Sequence, residues 1–334
     1  MAFPSSITDI VATTIESRSK KIADNVTKNN GLLTWIQKRG NIKTVSGGSQ
    51  ILEELSFSEN GNGSAYSGYD LLPVAAQDVI SAAQYQLKQY AVPVVISGLE
   101  QLQNSGKESM IDLLESRVSV AEATMANLLS QGIYGDGTSF GGKAITGLDA
   151  AVPVTATASQ TTAYGGITPA TGTITAFWRS YSPGSSTTPS STTIQGIMNG
   201  VWSNLVRGQD RPDLILMDND VWGKFVASLQ LIQRFTGTEE ANLGFVSQKF
   251  MGADVVLDGG IGGFAYTTGA ADHGSMYFLN TKYLKWRPHK DRNMVSLSPN
   301  RRYSVSQDAE VQILAWAGNL TCSGRKFHGR YQTN

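Results

Sequence analysis

The stretch from Asn104 to Leu148, NSGKESMIDLLESRVSVAEATMANLLSQGIYGDGTSFGGKAITGL, decides how the rest of the chain is read. Met110, Leu113, Leu114, Val118, Ala121, Met125, Leu128 and Leu129 fall on one stripe at helical spacing, and Lys107, Glu108, Asp112, Glu115 and Glu122 fall largely off it. The spacing predicts a helix over 104–131, capped by Ser105 and stopped at Gly132. Such a helix is long enough to lie as a spine across a sheet, but it has too few repeats and too little edge charge for a coiled coil. Tyr134-Gly135-Asp136-Gly137-Thr138 and Gly147-Leu148 follow, where the glycines permit tight turns close to other backbones.

Working outward, Ile7, Ile10, Val11, Ile15, Ile22 and Val26 recur at helical spacing and predict an amphipathic helix near the amino terminus. Ile51 to Phe57 reads as a strand. Ser58 to Asp70 then holds Asn60, Gly61, Asn62, Gly63 and Gly68 with little bulk except Tyr66 and Tyr69, the composition of a hairpin tip. Val79 to Ser97 returns as a strand interrupted at Pro93. Residues 44–90 are therefore expected to form one long two-stranded arm. An isolated hairpin is marginal in water, so the arm needs a surface to lie on, and a neighbouring subunit is a candidate. Asn60, Asn62, Tyr66 and Tyr69 at the tip are the expected inter-subunit contacts.

Downstream, Arg179 is the only charged residue between Ala150 and Val206, in a stretch dominated by Ser, Thr, Gly and Pro. This predicts an inserted, surface-facing, partly β region of irregular structure. The last third alternates, with helices expected over 193–206 and 219–229 and strands over 213–217, 253–257, 275–279 and 283–287. Ala309 to Trp316 and Leu320 to Arg330 read as a closing hairpin around Gly318-Asn319. The fold class is α+β.

Composition narrows the function. The 334 residues carry 27 basic and 27 acidic side chains, so no global field draws the chain to nucleic acid or acidic lipid. Only 16% of residues are charged, against about 25% in an ordinary soluble domain, which points to an obligate oligomer. Residues 1–14 lack the pattern of a secretory signal, and no apolar run approaches a span of roughly 20 residues, so a soluble chain with no membrane contact is expected.

The chemistry-bearing residues are sparse. His273, His289 and His328 lack metal-ligand spacing, no Gly-x-Ser-x-Gly elbow occurs, and Gly135 to Gly142 and Gly259 to Gly263 complete no nucleotide-binding pattern. Asp218 and Asp220 sit where a helix cap is needed, and Cys322 reads as a buried core residue. No catalytic, cofactor or metal site is expected. One cluster stands out: Lys282, Lys285, Arg287, Lys290, Arg292, Arg301 and Arg302, opposed only by Asp291. Of these, Lys285, Arg287, Arg292, Arg301 and Arg302 are expected to touch a neighbouring subunit or phosphates, with a solvated face as the alternative.

The order of these parts resembles the major capsid proteins of tailed phages, the Hong Kong ninety-seven type fold. The resemblance rests on the spine helix ending in Gly135-Asp136-Gly137-Thr138 and Gly147-Leu148, the hairpin arm with its Gly/Asn tip, and the α+β domain. It implies an amino-terminal arm over 1–40, an extended loop over 41–90, a peripheral domain over 91–150 and 303–334, an insertion over 151–190 and an axial domain over 191–302. It also implies pentamers and hexamers tiling an icosahedral shell around double-stranded DNA in a virion assembled in a host cytoplasm. The partners so implied are the chain itself, a scaffolding protein, a portal, a decoration protein and packaged DNA held without sequence specificity. Some members of that family weld subunits through a Lys-Asn bond on the loop, and here residues 45–86 hold no lysine. A rival within the fold is a cellular nanocompartment shell enclosing cargo enzymes, and a rival outside it is a Ser/Thr-rich β-domain enzyme or adhesin.

Overall fold

The computed structural model describes residues 30–58, 61–72, 74–76, 79–98, 107–170, 174–186, 188–229, 247–258, 274–297, 302–303 and 309–333, with backbone alone at 107–115, 174, 185–186, 247, 302–303, 309–310 and 333. Its main helices are α1 (Gly31–Lys38), α2 (Lys107–Tyr134), α3 (Ile194–Leu205) and α4 (Asn219–Leu229). The strands are β1 (Gln50–Ser56), β2 (Ile80–Gln86), β3 (Lys88–Ser97), β4 (Ser185–Ser186), β5 (Leu214–Met217), β6 (Ser247–Phe250), β7 (Ala253–Leu257), β8 (Ser275–Leu279), β9 (Leu284–Ser296), β10 (Arg302–Tyr303), β11 (Ala309–Cys322) and β12 (Gly329–Thr333). The amino-terminal helix expected before residue 30, Ser105, His273 and Arg301 lie outside the described residues.

Three sheets organise the described residues. One has the order β4-β12-β8-β5-β7-β6, and a second runs β10-β11-β3 with β9 also paired to β11. The third is the two-stranded hairpin β1-β2. The strand β5, Leu-Ile-Leu-Met, is buried at every position because it is covered on both faces. Ile215 and Met217 pack under α3 and α4 with Met198, Val201, Val221 and Phe225. Leu214 and Leu216 face the opposite way, into a larger core that contains Leu32, Leu33, Trp178, Trp286 and Trp316. The strands β7 and β8 divide in the same way, Val255, Met276 and Phe278 to one core and Val256, Tyr277 and Leu279 to the other, so β5 is shared between two cores that lie on opposite faces of this sheet. Trp286 of β9 and Trp316 of β11 stack at 4.9 Å in the larger one.

The spine helix α2 lies against β3, burying Val118, Ala121, Met125, Leu129 and Ile133. This is the stripe that the sequence displays, and it continues three residues beyond the expected end. Gly132 does not stop the helix, because it is a point of close approach where a Cβ would fall 2.7 Å from Tyr90 Oη. The helix ends at the Gly-Asp-Gly-Thr turn, where Asp136 Oδ1 accepts hydrogen bonds from Thr138 N at 2.9 Å and Thr138 Oγ1 at 2.7 Å. Gly147 then crosses the helix end so closely that a Cβ would sit 2.6 Å from Gly135 O and nearer still to the carbonyls of Gly132 and Ile133. The spacing from Gly135 to Gly147 is thus a packing requirement of the helix terminus.

Asp258 ties this end of α2 to α1. Its carboxylate accepts from the Tyr134 hydroxyl and from the backbone N–H groups of Gly31 and Leu32, at the helix start where unpaired donors collect. Burial pushes the carboxyl up to about 6, against the opposing pull of these hydrogen bonds. Asn30 completes the cap, accepting from Leu33 N at 3.1 Å.

Several expected elements fall where the pattern puts them: α4, β7 and β8 have the predicted bounds. Asp218 caps α4, accepting from Val221 N at 2.8 Å. Two expectations need correction. Residues 309–322 form one continuous strand, not the first half of a hairpin, and the last strand β12 pairs with β8 in the other sheet. Gly318 is not a turn: it lies among register shifts in the pairing of β11 with β9, where a side chain would meet Arg287 O at 2.6 Å and the Trp316 ring. The arm is also shorter than expected. β1 and β2 pair from Gln50↔Gln86 to Ser56↔Ile80, whereas β3 turns away to pair with β11 from Lys88↔Gly318 to Ser97↔Ala309.

Candidate functional site

The hairpin β1-β2 lays one face on the body of its own chain and leaves the other in solvent. Along β1 exposure alternates strictly, so that Ile51, Glu53 and Leu55 face inward while Leu52, Glu54 and Ser56 face out. Ala83 and Tyr85 of β2 are buried as well. The surface that the base of the arm needs is therefore supplied by the body of its own chain.

The polar centre of that packing is Glu53, 2% exposed. It receives Lys285 Nζ at 2.5 Å, Arg287 Nη2 at 2.6 Å and Arg287 Nε at 2.8 Å, with Thr321 Oγ1 at 2.9 Å. Burial alone would raise its pKa, but these hydrogen bonds and the guanidinium charge outweigh it and hold the carboxyl below the ordinary value. On β2, Tyr85 Oη donates to Cys322 O at 2.7 Å. Burial drives the Tyr85 hydroxyl well above its ordinary pKa and pushes the Cys322 thiol up to about 12, so neither ionises near neutrality.

Beyond this anchored base the tip turns apolar. Tyr66, Tyr69, Leu71, Leu72 and Val74 are all exposed, with Tyr69 and Leu71 at 106% and 99%. Ser67 N donates to Asp70 Oδ2 at 2.9 Å, and Asn62 Nδ2 donates to the Ala75 carbonyl. Exposed apolar side chains grouped in this way are, in general, a feature of interaction surfaces. Tyr66, Tyr69 and Asn62 lie in the segment that joins β1 to β2, where both tyrosines are exposed. Asn60 lies outside the described residues. Leu71, Leu72 and Val74 escaped the sequence reading, although the pair Leu71-Leu72 is the signal: two large apolar residues that directly follow a turn rich in Gly, Asn and Ser.

The basic cluster divides. Lys285 and Arg287, 21% and 17% exposed at their side chains, turn inward to Glu53, so the two charges expected to meet phosphate or a neighbour are engaged within their own chain. Arg292 is exposed and donates to Gln89 Oε1 at 3.1 Å. Arg302 lies in β10 opposite Val311. The inward alternation Ile51-Glu53-Leu55 was the signal that could have marked Glu53 as their partner.

The described residues also form concavities. A cavity of about 210 Å³ at the end of α2 is lined by Tyr90, Asp136, Phe140, Asp149, Tyr277 and Arg330, with Arg330 paired to Asp149. An open groove of about 390 Å³ runs between β3 and α2, with Val92, Val95 and Val120 on its walls. His328 is fully buried, its Nδ1 accepting from Asn280 N at 3.2 Å, and burial lowers its pKa to about 3. Among the described residues no group of His, Cys, Asp or Glu is placed to hold a metal ion, and no helix is long and apolar enough to cross a membrane.

No family model matches the chain, and no curated protein matches it. Solved structures do. A chain of the cyanophage A-1(L) capsid asymmetric unit superposes with a TM-score of 0.60 at 16% identity, over 88% of this chain and 90% of that one. The capsid of the native GTA particle gives 0.53 at 12% identity, and a Mycobacterium phage Bobi structure 0.53 at 11%, each over 89% of both chains. At such identities the likeness is one of fold.

Proposed function

We propose that this chain, which has the Hong Kong ninety-seven type fold of those capsid subunits, is a major capsid protein that assembles through pentamers and hexamers into an icosahedral shell around double-stranded DNA. The observation that carries the reading is the apolar tip on a hairpin whose base is fixed to the body. Fully burying a Leu or Val side chain is worth about 1.5–3 kcal/mol, and that gain is unrealised at Leu71 and Val74 in the lone subunit. The exposed tip and the open groove beside α2 are different surfaces of one chain. Contact between unlike surfaces is heterologous and closes into rings when the rotation allows. Many weak copies of one contact then sum to a strong shell.

On this reading the protein performs no catalysis, and its role is containment. A scaffolding protein would set curvature during assembly, a portal would occupy one vertex, and a decoration protein would reinforce the outside. The exposed part of the basic stretch, Lys290 and Arg292, would touch phosphate or a neighbour, together with Arg301 and Arg302. The chain would reside in the virion.

Expression of the chain, alone and with its candidate scaffolding protein, followed by size-exclusion chromatography and negative-stain microscopy, is expected to yield closed particles. Because residues 45–86 contain no lysine, boiled and reduced particles are expected to run as one band near 35.8 kDa. A chain that stays monomeric in every condition overturns the shell, and a ladder of multimers overturns the non-covalent contact. Protein cargo in place of packaged DNA would assign the shell to a nanocompartment.

A further inference from the structure

The segment 150–186 is not a peripheral ornament, because its most buried residues reach the arm. Tyr164 and Ile167 form a small antiparallel bridge closed by Gly165 and Gly166, whose φ angles of 59° and 75° suit a two-residue hairpin turn. That turn presses on β2. Gly165 O accepts from Gln84 N at 2.8 Å, and a Cβ on Gly165 would lie 3.0 Å from both the Ala83 Cβ and Tyr85 Oη. Aromatic rings extend the contact on both sides: Tyr164 meets Tyr85 edge-on at 5.4 Å, and Phe177 stacks on Phe57 at 5.7 Å, just where β1 gives way to the tip.

The segment is itself held from below by a buried cation. Arg325, 1% exposed, donates to the carbonyls of Ala151 at 2.7 Å, Ala150 at 3.2 Å and Trp178 at 3.3 Å, and its guanidinium lies 5.4 Å from the Tyr164 ring centroid. Trp178 Nε1 in turn donates to Tyr164 O at 2.8 Å. A continuous path of packed groups thus runs from the body through Arg325, Trp178 and Tyr164 to Tyr85 and Phe57 of the arm. Glu53 grips the same hairpin through Lys285 and Arg287.

We infer that segment 150–186 is a brace in cis, which fixes the direction of the hairpin in the free subunit before any neighbour is met. A preset arm loses less conformational freedom on docking, so the brace acts on the speed and fidelity of assembly and not on the contact itself. The inference rests on the assembly reading above for its purpose, and on the geometry of Phe57, Tyr85, Tyr164 and Phe177 for its existence.

Arm direction can be read without assembly. Spin labels on Ser56→Cys, exposed at the end of β1 on the braced part of the hairpin, and on Ser203→Cys of α3 report it as a distance distribution in the unassembled subunit; the fully buried Cys322, with its raised pKa, stays unlabelled. The wild-type background is expected to give one narrow distribution. Phe177→Ala removes a half-buried ring from the brace, and is expected to broaden the distribution and speed amide exchange across 80–86 about tenfold while exchange in α3 and α4 holds. Phe57→Ala removes the same contact from the arm side, and the double variant is expected to add little to either alone. A broad wild-type distribution, or a Phe177→Ala distribution as narrow as wild type, overturns the brace. A narrow wild-type distribution that broadens as expected, in a chain that forms no particles under any condition, supports the brace and removes the assembly reading.

Discussion

Joining Phe57 to Val79 through an Asn-Gly turn is expected to abolish particle formation and to leave the subunit folded. The junction suits a tight hairpin, because Phe57 N already donates to Val79 O at 3.1 Å across the strand ends. The removed stretch includes Tyr66, Tyr69, Leu71, Leu72 and Val74, which meet solvent in the isolated chain, so their loss withdraws little from either core. Shortening a loop costs nothing in closure entropy and slightly favours the fold. The urea midpoint of the subunit is therefore expected to hold or rise, while the particle peak in size-exclusion chromatography vanishes. Particles of normal yield and stability from the shortened chain would show that the tip is not an assembly surface.

The second large effect lies at the root of the same hairpin. Glu53→Ala leaves Lys285 and Arg287 side by side without their shared carboxylate, and removes the acceptor of Thr321 Oγ1. Breaking a buried ion pair by deleting one partner costs about 3–5 kcal/mol. The two cations keep partial contact with water, so about 3 kcal/mol is expected, read as a lower unfolding midpoint. The pH dependence has a definite sign. The folded carboxyl is held below its ordinary value of 4.5, so the stabilisation is fully present above that value and fades as the pH falls through the folded pKa. Wild type and Glu53→Gln, which lacks the titration, should accordingly converge in stability on acidification. A difference between them that stays constant down through the carboxylate range would refute the assignment.

Both effects concentrate at a place the sequence displays only in part. Local pattern was enough for Asn219–Leu229, Ala253–Leu257 and Ser275–Leu279, where short periodic runs are bounded by their own caps and breakers. It also placed the spine helix and the hairpin with its tyrosine tip. It failed where a residue answers to something distant. Gly318 looks like a turn until the Trp316 ring and the Arg287 carbonyl are seen to fill the space of its side chain. Gly132 looks like a helix stop until Tyr90 is found against it. Lys285 and Arg287 look like surface charge because Glu53, their partner, is 232 and 234 residues away in the chain. Low charge density between 150 and 206 suggested a loose surface region, yet a buried Arg325 gathers its carbonyls and a run of aromatics locks it to the arm. Nothing in the local pattern of that region reveals the contact.

The strand shared between the two cores has a mechanical consequence. Leu214 and Leu216 belong to one core and Ile215 and Met217 to the other, so sliding one core past the other must drag the backbone of β5 and disturb both packings at once. The two cores are thereby coupled, and the described body is expected to move as one stiff tile. In a closed shell, rings of five and rings of six demand different tilts between neighbours, and a stiff tile cannot supply the difference by bending. The compliance has to sit at the seams and in the unbraced length of the tip beyond Phe57. Subunits refined from five-fold and six-fold positions are therefore expected to superpose across both cores and to diverge from residue 58 to residue 79, whereas a rotation between the two cores would place a hinge where the shared strand forbids one.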